Sequence, residues 1–302
     1  MAIAIYNEGC TCFLNAVIQS LSYIPIVVEK LTSIHKKEHS KFDDMILKKI
    51  NFKEHQKYGV FSVETELIQN VYGVGIGLQG QQDPAGFLQV CMESSGVISN
   101  LLKWNEVEKM KCSSCSCVLR KCINEDNYIL MLKFDSENKE KNIRDLIVTN
   151  TKGKHIEGYK CEAHATVDGT SCLCVKSAFQ VHYPKTFPDI LCVSLPSRIY
   201  YDNTRRESRK DNRHFDPQKE LYLPDVFDKS QKKMKMIRYI LISTIVHHGM
   251  YSNKGHYTSY VRIGERWYHI DDEIIVEVNS NTARFPPSSQ NIYMMFYERI
   301  FF

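Results

Sequence analysis

The sequence predicts an α+β fold, with helices gathered in the first third and an antiparallel sheet in the last. Three observations carry that prediction. Phe13, Leu14, Val17, Ile18 and Leu21 fall on one face at helical spacing. Five strand-like runs follow late in the chain: Arg238 to Val246, His256 to Ile263, Arg266 to Asp271, Ile274 to Val278 and Ile292 to Tyr297. Between two of them, Gly264-Glu265 suits a two-residue hairpin turn with glycine first.

In chain order, Thr11 is a suitable N-cap for the first helix, and Pro25 is expected to end it. A second helix is expected over Asp83 to Cys91, where Phe87, Leu88 and Cys91 make an apolar stripe and Pro84 takes the first helical position. Ser136 to Asn142, Thr151 to Gly158 and Asn203 to Glu220 are the least core-like segments, and all three read as solvated loops. The last is basic, and it reads as an exposed excursion from a sheet, not as a binding patch. No internal repeat is apparent.

Composition removes several classes of function. The 302 residues are 43% hydrophobic and 25% charged, which is enough to bury a large core and argues against disorder. A net charge of +4 is too small for a dedicated nucleic-acid binder and too dispersed for a membrane-surface protein. Apolar stretches such as Tyr239 to Val246 fall far short of the roughly 18 residues of a membrane span, so no membrane helix is expected. Asn7, Glu8 and Gly9 interrupt any secretory-type start. With an odd count of 11 cysteines, the chain is expected inside the cell, in the cytoplasm or nucleus, with its cysteines serving as ligands, nucleophiles or core residues.

Cys12 opens the first predicted helix, where unpaired backbone N–H groups and the helix dipole favour a thiolate. On an apolar helix a cysteine is otherwise an inert core residue, so a base must come from elsewhere in the chain. His256 is the best candidate. Gly255 before it lets the backbone approach closely, and the strand behind it fixes the ring. If Ile263 and Arg266 flank the turn, Asp271 lies opposite Thr258 and becomes a same-face diagonal neighbour of His256, roughly 7–8 Å away between backbones. Asp272 is then expected on the opposite face, and a slip of one residue would exchange the two acids.

Asn7-Glu8-Gly9-Cys10-Thr11-Cys12-Phe13-Leu14-Asn15-Ala16-Val17-Ile18-Gln19-Ser20-Leu21 resembles the cysteine box of the ubiquitin-specific proteases, with Cys10 in place of the usual asparagine. Val246 to Gly249, Gly255 to Tyr260, Trp267 to Asp272 and Tyr293 to Tyr297 resemble the histidine box in order and spacing. Between the boxes, Gln81 to Leu88 resembles a further family motif in which Gly86 replaces glutamate, and Phe187 to Leu195 resembles a family strand. The resemblance runs from Ile5 to Tyr297.

It implies a single papain-like catalytic domain over 1–302, with a helical thumb over about 1–105, fingers within about 106–182 and a sheet palm mainly over 183–302. It casts Cys12 as nucleophile, His256 as general base, Asp271 as orienting acid, Asn7 as oxyanion donor and Asp272 as a second polar contact near that hole. Asp83, Gln82, Gly255 and Tyr257 are implied to bind the ubiquitin tail, although Asp83 is equally suited to cap the helix at Pro84.

A zinc-ribbon-like tip to the fingers is also implied, held by Cys112, Cys115, Cys161 and His164, with histidine in the place of a usual cysteine. Two thiolates and an imidazole beside a third thiolate suit tetrahedral zinc. Cys117, Cys122, Cys172 and Cys174 leave other ligand sets open, as does loss of the metal. The expected activity is thiol-dependent hydrolysis after the C-terminal glycine of ubiquitin, with structural zinc, no catalytic cofactor, ubiquitin and ubiquitinated proteins as partners, and a monomeric state. The alternatives are a silent ubiquitin-binding scaffold and a protease for a ubiquitin-like modifier.

Overall fold

Eight strands form the sheet on which the rest of the chain is built. The computed structural model describes residues 2–55, 59–63, 82–94, 96–113, 118–133, 142–151, 154–158, 177–196, 199–202, 207–210, 215–224, 236–249, 255–287 and 290–301. The long central strand is β12 (Met236–His248). Along one edge runs β16 (Gln290–Ile300); the other edge is shared by β11 (Glu220–Pro224) against its first half and β13 (His256–Ile263) against its second. Beyond β13 lie β14 (Arg266–Asp271) and β15 (Ile274–Val278), and beyond β16 lie β8 (Ile190–Ser194) and β5 (Ile129–Met131).

β13, β14 and β15 have the predicted bounds, and Ile263 pairs with Arg266, as the hairpin argument requires. Gly264 has φ +63°, the conformation a glycine-first turn needs. Both faces of the sheet are covered. Met294 and Phe296 enter an apolar cluster shared with the first-third helices, whereas Met295 and Tyr297 enter a second cluster with Ile143, Leu146 and Leu221. This explains why β16 reads as a nearly continuous apolar run instead of alternating.

The first helix, α1 (Cys12–Leu21), is buried along all ten residues, where the spacing predicted a single buried face. Burying each of its large apolar side chains is worth about 1.5–3 kcal/mol. Thr11 occupies the N-cap position, but its hydroxyl does not cap; it donates to Asn7 Oδ1 and accepts from Glu8 N. Pro25 does not end α1. The helix stops at Leu21, and Pro25 is the first residue of α2 (Pro25–Ser33), where its missing N–H would have had no helical partner.

Next come α3 (Lys41–His55), α4 (Pro84–Glu93) and α5 (Val97–Leu102). Buried Asp43 of α3 accepts from Val97 N and Ile98 N at the start of α5, so the two helices are tied through a carboxylate.

A second, four-stranded sheet has the order β4-β3-β7-β6, built from β3 (Trp104–Cys112), β4 (Val118–Asn127), β6 (Lys154–Glu157) and β7 (Ser177–Pro184). Two segments expected as loops contain strands. β6 lies within Thr151 to Gly158 and pairs with β7; β10 (Glu207–Lys210) lies within Asn203 to Glu220 and pairs with β9 (Ile199–Asp202). Each sits at the end of its strand order, where backbone bonds complete a ladder without an apolar side-chain pattern and charged residues are favoured. Of Ser136 to Asn142, only Asn142 lies within the described residues, bridged to Asp216 beside α6 (Ile143–Thr151).

Candidate active site

The N-terminal end of α1 packs against β13 and β14, which brings three distant segments together. α1 is fastened to its surroundings by its own polar residues. Asn15 Nδ2 donates to Asp272 Oδ1 at 2.8 Å, Gln19 Nε2 donates to the Ile3 carbonyl at 2.8 Å, and Ser20 Oγ lies 2.8 Å from Ser243 Oγ of β12. These side chains are buried, and each makes at least one hydrogen bond there.

His256, the first residue of β13, meets Asp271, the last of β14, with Nε2 2.5 Å from Oδ1. That contact leaves Nδ1 as the ring's other polar atom, and the Cys12 thiol lies near enough to influence the imidazole. Hydrogen bonding to Asp271 and then to Cys12 raises the His256 pKa to about 10, against the lowering effect of burial. In return the imidazole holds Asp271 below the usual carboxylate range. Cys12 is 5% exposed, whereas neighbouring Cys10 is open to solvent.

Asp272 is not on the opposite face as expected. β14 ends at Asp271, and Asp272 takes φ +47°, a left-handed conformation that Asp tolerates better than most residues. This turns its carboxylate back toward the site, with Oδ2 3.7 Å from His256 Nε2 and 2.6 Å from Asn7 Nδ2. The Asn7 side-chain carbonyl in turn accepts from Gly9 N, Thr11 N and Thr11 Oγ1. Both ends of the Asn7 amide are therefore fixed, and one Nδ2 hydrogen remains for another acceptor.

Gly255 is where the backbone passes closest to its neighbours. A Cβ there would stand 2.2 Å from the His248 carbonyl and 2.3 Å from His247 Nε2, so only glycine fits. Tyr257 is buried beside His247, with ring centroids 4.7 Å apart, and beside Tyr293 at 5.7 Å. Burial, followed by the charge of Asp83, pushes the Tyr257 and Tyr293 hydroxyls well above the ordinary tyrosine range; Cys12 adds to the effect at Tyr257. Asp83, Tyr257 and Cys12 thus share one neighbourhood. Asp83 is exposed and caps α4, with Oδ1 accepting from Ala85 N at 2.9 Å; Gln82 before it is half-buried. A Cβ at Gly86 would meet only Asp83 atoms, at 3.8 Å.

Sequence reasoning missed a polar layer beside His256 and Asp271. Thr258 Oγ1 lies 2.7 Å from His248 Nε2 and 2.9 Å from His269 Nε2, and burial lowers the His269 pKa. It also missed Asn15, although a signal exists: Cys12, Asn15 and Gln19 form a polar stripe at helical spacing within an otherwise apolar run. Of the four expected zinc ligands, Cys112 is buried at the end of β3; Cys115, Cys161 and His164 lie outside the described residues.

A buried thiol at a helix start, an imidazole on a facing strand and a carboxylate holding that imidazole are the groups that nucleophilic chemistry by a thiol calls for. Comparison with known proteins specifies the class. The family model described as ubiquitin carboxyl-terminal hydrolase matches residues 3–297. Curated relatives include ubiquitin carboxyl-terminal hydrolase 23 of Arabidopsis thaliana, 38% identical over 64 residues, or 21% of this chain and 7% of the relative. Ubiquitin carboxyl-terminal hydrolase 7 of Saccharomyces cerevisiae is 29% identical over 127 residues, 38% of this chain and 11% of the relative.

Among solved structures, the SAGA DUB module Ubp8/Sgf11/Sus1/Sgf73 bound to ubiquitin aldehyde matches with a TM-score of 0.78 at 18% identity, covering 99% of this chain and 70% of that one. The module bound to monoubiquitin gives 0.77 at 17% identity, covering 99% and 69%. The fold is that of a ubiquitin-specific protease catalytic domain. The chain belongs to the ubiquitin carboxyl-terminal hydrolase family.

Proposed function

We propose that this chain is a deubiquitinase, a thiol protease that hydrolyses the peptide or isopeptide bond after the C-terminal glycine of ubiquitin. The observation that carries this reading is His256 held by Asp271 at 2.5 Å, beside a buried Cys12 that opens α1. His256 takes the Cys12 thiol proton as the sulfur attacks the scissile carbonyl, and delivers it to the departing amine. Water, activated by the same imidazole, then releases ubiquitin from the thioester. Asp271 keeps Nδ1 turned toward the thiol and stabilises the imidazolium.

The free Nδ2 hydrogen of Asn7 serves the oxyanion. Asp272 acts through Asn7, because a carboxylate accepts hydrogen bonds and cannot donate one to an oxyanion. Asp83, Gln82, Gly255 and Tyr257 line the approach of the ubiquitin tail, with the exposed Asp83 carboxylate available to a basic side chain while its other oxygen caps α4. The substrate is ubiquitin and its conjugates, and the thumb, fingers and palm lie near 1–105, 106–182 and 183–302.

We propose zinc as a structural ion at the end of the second sheet. Cys112 is buried where β3 runs out into a turn, a suitable first donor, and Cys115, Cys161 and His164 would complete the set. Bound there, the ion would clamp the sheet end, and Cys12 and His256 would perform the cleavage.

Turnover of ubiquitin bearing a fluorogenic C-terminal amide tests the function. The parent chain should release the fluorophore, and Cys12→Ser should abolish release while still binding ubiquitin. Binding without turnover in the parent would favour the silent scaffold; turnover of a ubiquitin-like amide alone would favour the modifier protease.

A further inference from the structure

Asn15 stands three residues after Cys12 on the same side of α1 and is 2% exposed. Its Nδ2 donates to Asp272 Oδ1 at 2.8 Å and to the Tyr6 carbonyl at 3.3 Å. Two acceptors fix the amide's orientation, since a flipped amide would set oxygen against oxygen. The other Asp272 oxygen accepts from Asn7 Nδ2 at 2.6 Å. The carboxylate is therefore a bridge, anchored by Asn15 at one end and holding Asn7 at the other. Asp272 lies beyond the last residue of β14 in a left-handed conformation, so its direction depends on these partners more than on the ladder. Asn7 sits in the segment before α1 and is half-buried; Asn15 belongs to a helix buried throughout.

We propose that Asn15 is a positioning residue which, through Asp272, holds the Asn7 amide in place beside Cys12. The inference rests on the roles of Cys12 and Asn7 given above. Asn15 transmits the rigidity of the buried helix to a donor that lies outside any regular element. Without its amide the Asp272 carboxylate is free to turn, and Asn7 loses the partner that aims its remaining hydrogen. The loss should fall on the step that forms an oxyanion, and not on ubiquitin binding or on the thiol–imidazole pair.

The test uses the full chain and a fluorogenic ubiquitin amide, with iodoacetamide alkylation of Cys12 in parallel. Alkylation displaces iodide at a tetrahedral carbon and develops no oxyanion. Asn15→Ala should lower kcat about tenfold or more, short of the roughly 10²–10³ that losing an oxyanion donor outright costs. KM and the alkylation rate should stay within about twofold of the parent. Combined with Asp272→Ala, it should be no slower than Asp272→Ala alone, because both changes remove one device.

A second pair covers the case in which Asn15→Ala folds poorly. Asn15→Asp sets carboxylate against carboxylate and should be as damaging. Adding Asp272→Asn restores a donor for position 15 while leaving an oxygen for Asn7, and should recover about tenfold. Additive losses, alkylation falling in parallel with kcat, or no recovery in the exchanged pair would overturn the proposal. A parent chain that alkylates at Cys12 but leaves the ubiquitin amide intact would instead overturn the deubiquitinase reading, and the proposal with it.

Discussion

His256 acquires its acid–base character from two neighbours brought to it by folding. Its raised pKa, about 10, means that folding favours the charged ring. This stabilisation is complete below the ordinary histidine value of about 6.5, declines above it and is gone once the pH passes about 10. The lowered pKa of Asp271 acts in the opposite direction: its contribution is present above the usual carboxylate range and is lost as the pH falls through the folded value. The His256 ring should therefore titrate by NMR far above neutrality in the parent chain and fall back toward 6.5 in Asp271→Ala, with stability between pH 6.5 and 10 becoming less pH-dependent.

The same substitution should cut kcat more than Asp272→Ala does, by about 10²-fold or more. A larger loss from Asp272→Ala would give the orienting role to Asp272 and overturn the assignment to Asp271. Asp271 was legible in the sequence because hairpin parity fixes which residues share a face. Asp272 was not, since a single left-handed residue after a strand leaves the parity argument with nothing to count.

Among the elements, two glycines should respond oppositely to alanine. At Gly255 the new methyl would fall 2.2 Å from the His248 carbonyl, so the strand start must shift and carry His256 with it. Gly255→Ala should cost about 1–3 kcal/mol and lower turnover. Gly86 lies in the first turn of α4 with room for a methyl, and Gly86→Ala should stabilise the chain by about 0.5–1 kcal/mol with little effect on turnover. Denaturant midpoints decide both; equal effects at the two sites would show that crowding at Gly255 is not what holds His256.

The helices that sequence pattern revealed were α1 and α4, whose apolar spacing is plain. α3 escaped because its charged residues suggest a solvated segment, yet Asp43 and Lys49 are buried, the former as a cap for α5 and the latter over the Tyr23 ring at 4.2 Å. Local charge does not reveal a tertiary partner.

At the scale of the whole molecule, the late antiparallel meander and the early helices were legible, but the way they join was not. α1 is held by Ile3 just before it and by Asp272 and Ser243, both distant from it in sequence, through polar side chains that hydropathy alone scores as interruptions. The second sheet was expected only as the fingers that the family resemblance implied, because edge strands such as β6 carry no apolar alternation.

Metal analysis should find one zinc per chain. Chelation should first raise hydrogen exchange around the end of β3 at Cys112, leaving β12 protected. His164→Ala should lower zinc content, and Cys117→Ser should not. Zinc kept in His164→Ala but lost in Cys172→Ser or Cys174→Ser would move the second half of the site to those cysteines.

The central claim is that Cys12 is the nucleophile that ubiquitin's C-terminus meets. Ubiquitin carrying a C-terminal electrophile, reacted with the full chain and mapped by mass spectrometry of the digested adduct, tests it most directly. Cys12 should carry the modification, because it begins α1 and lies close to His256, whereas exposed Cys10 lies in the segment before the helix. An adduct on Cys10, or no adduct on a chain whose Cys12 still reacts with small alkylating reagents, would contradict it.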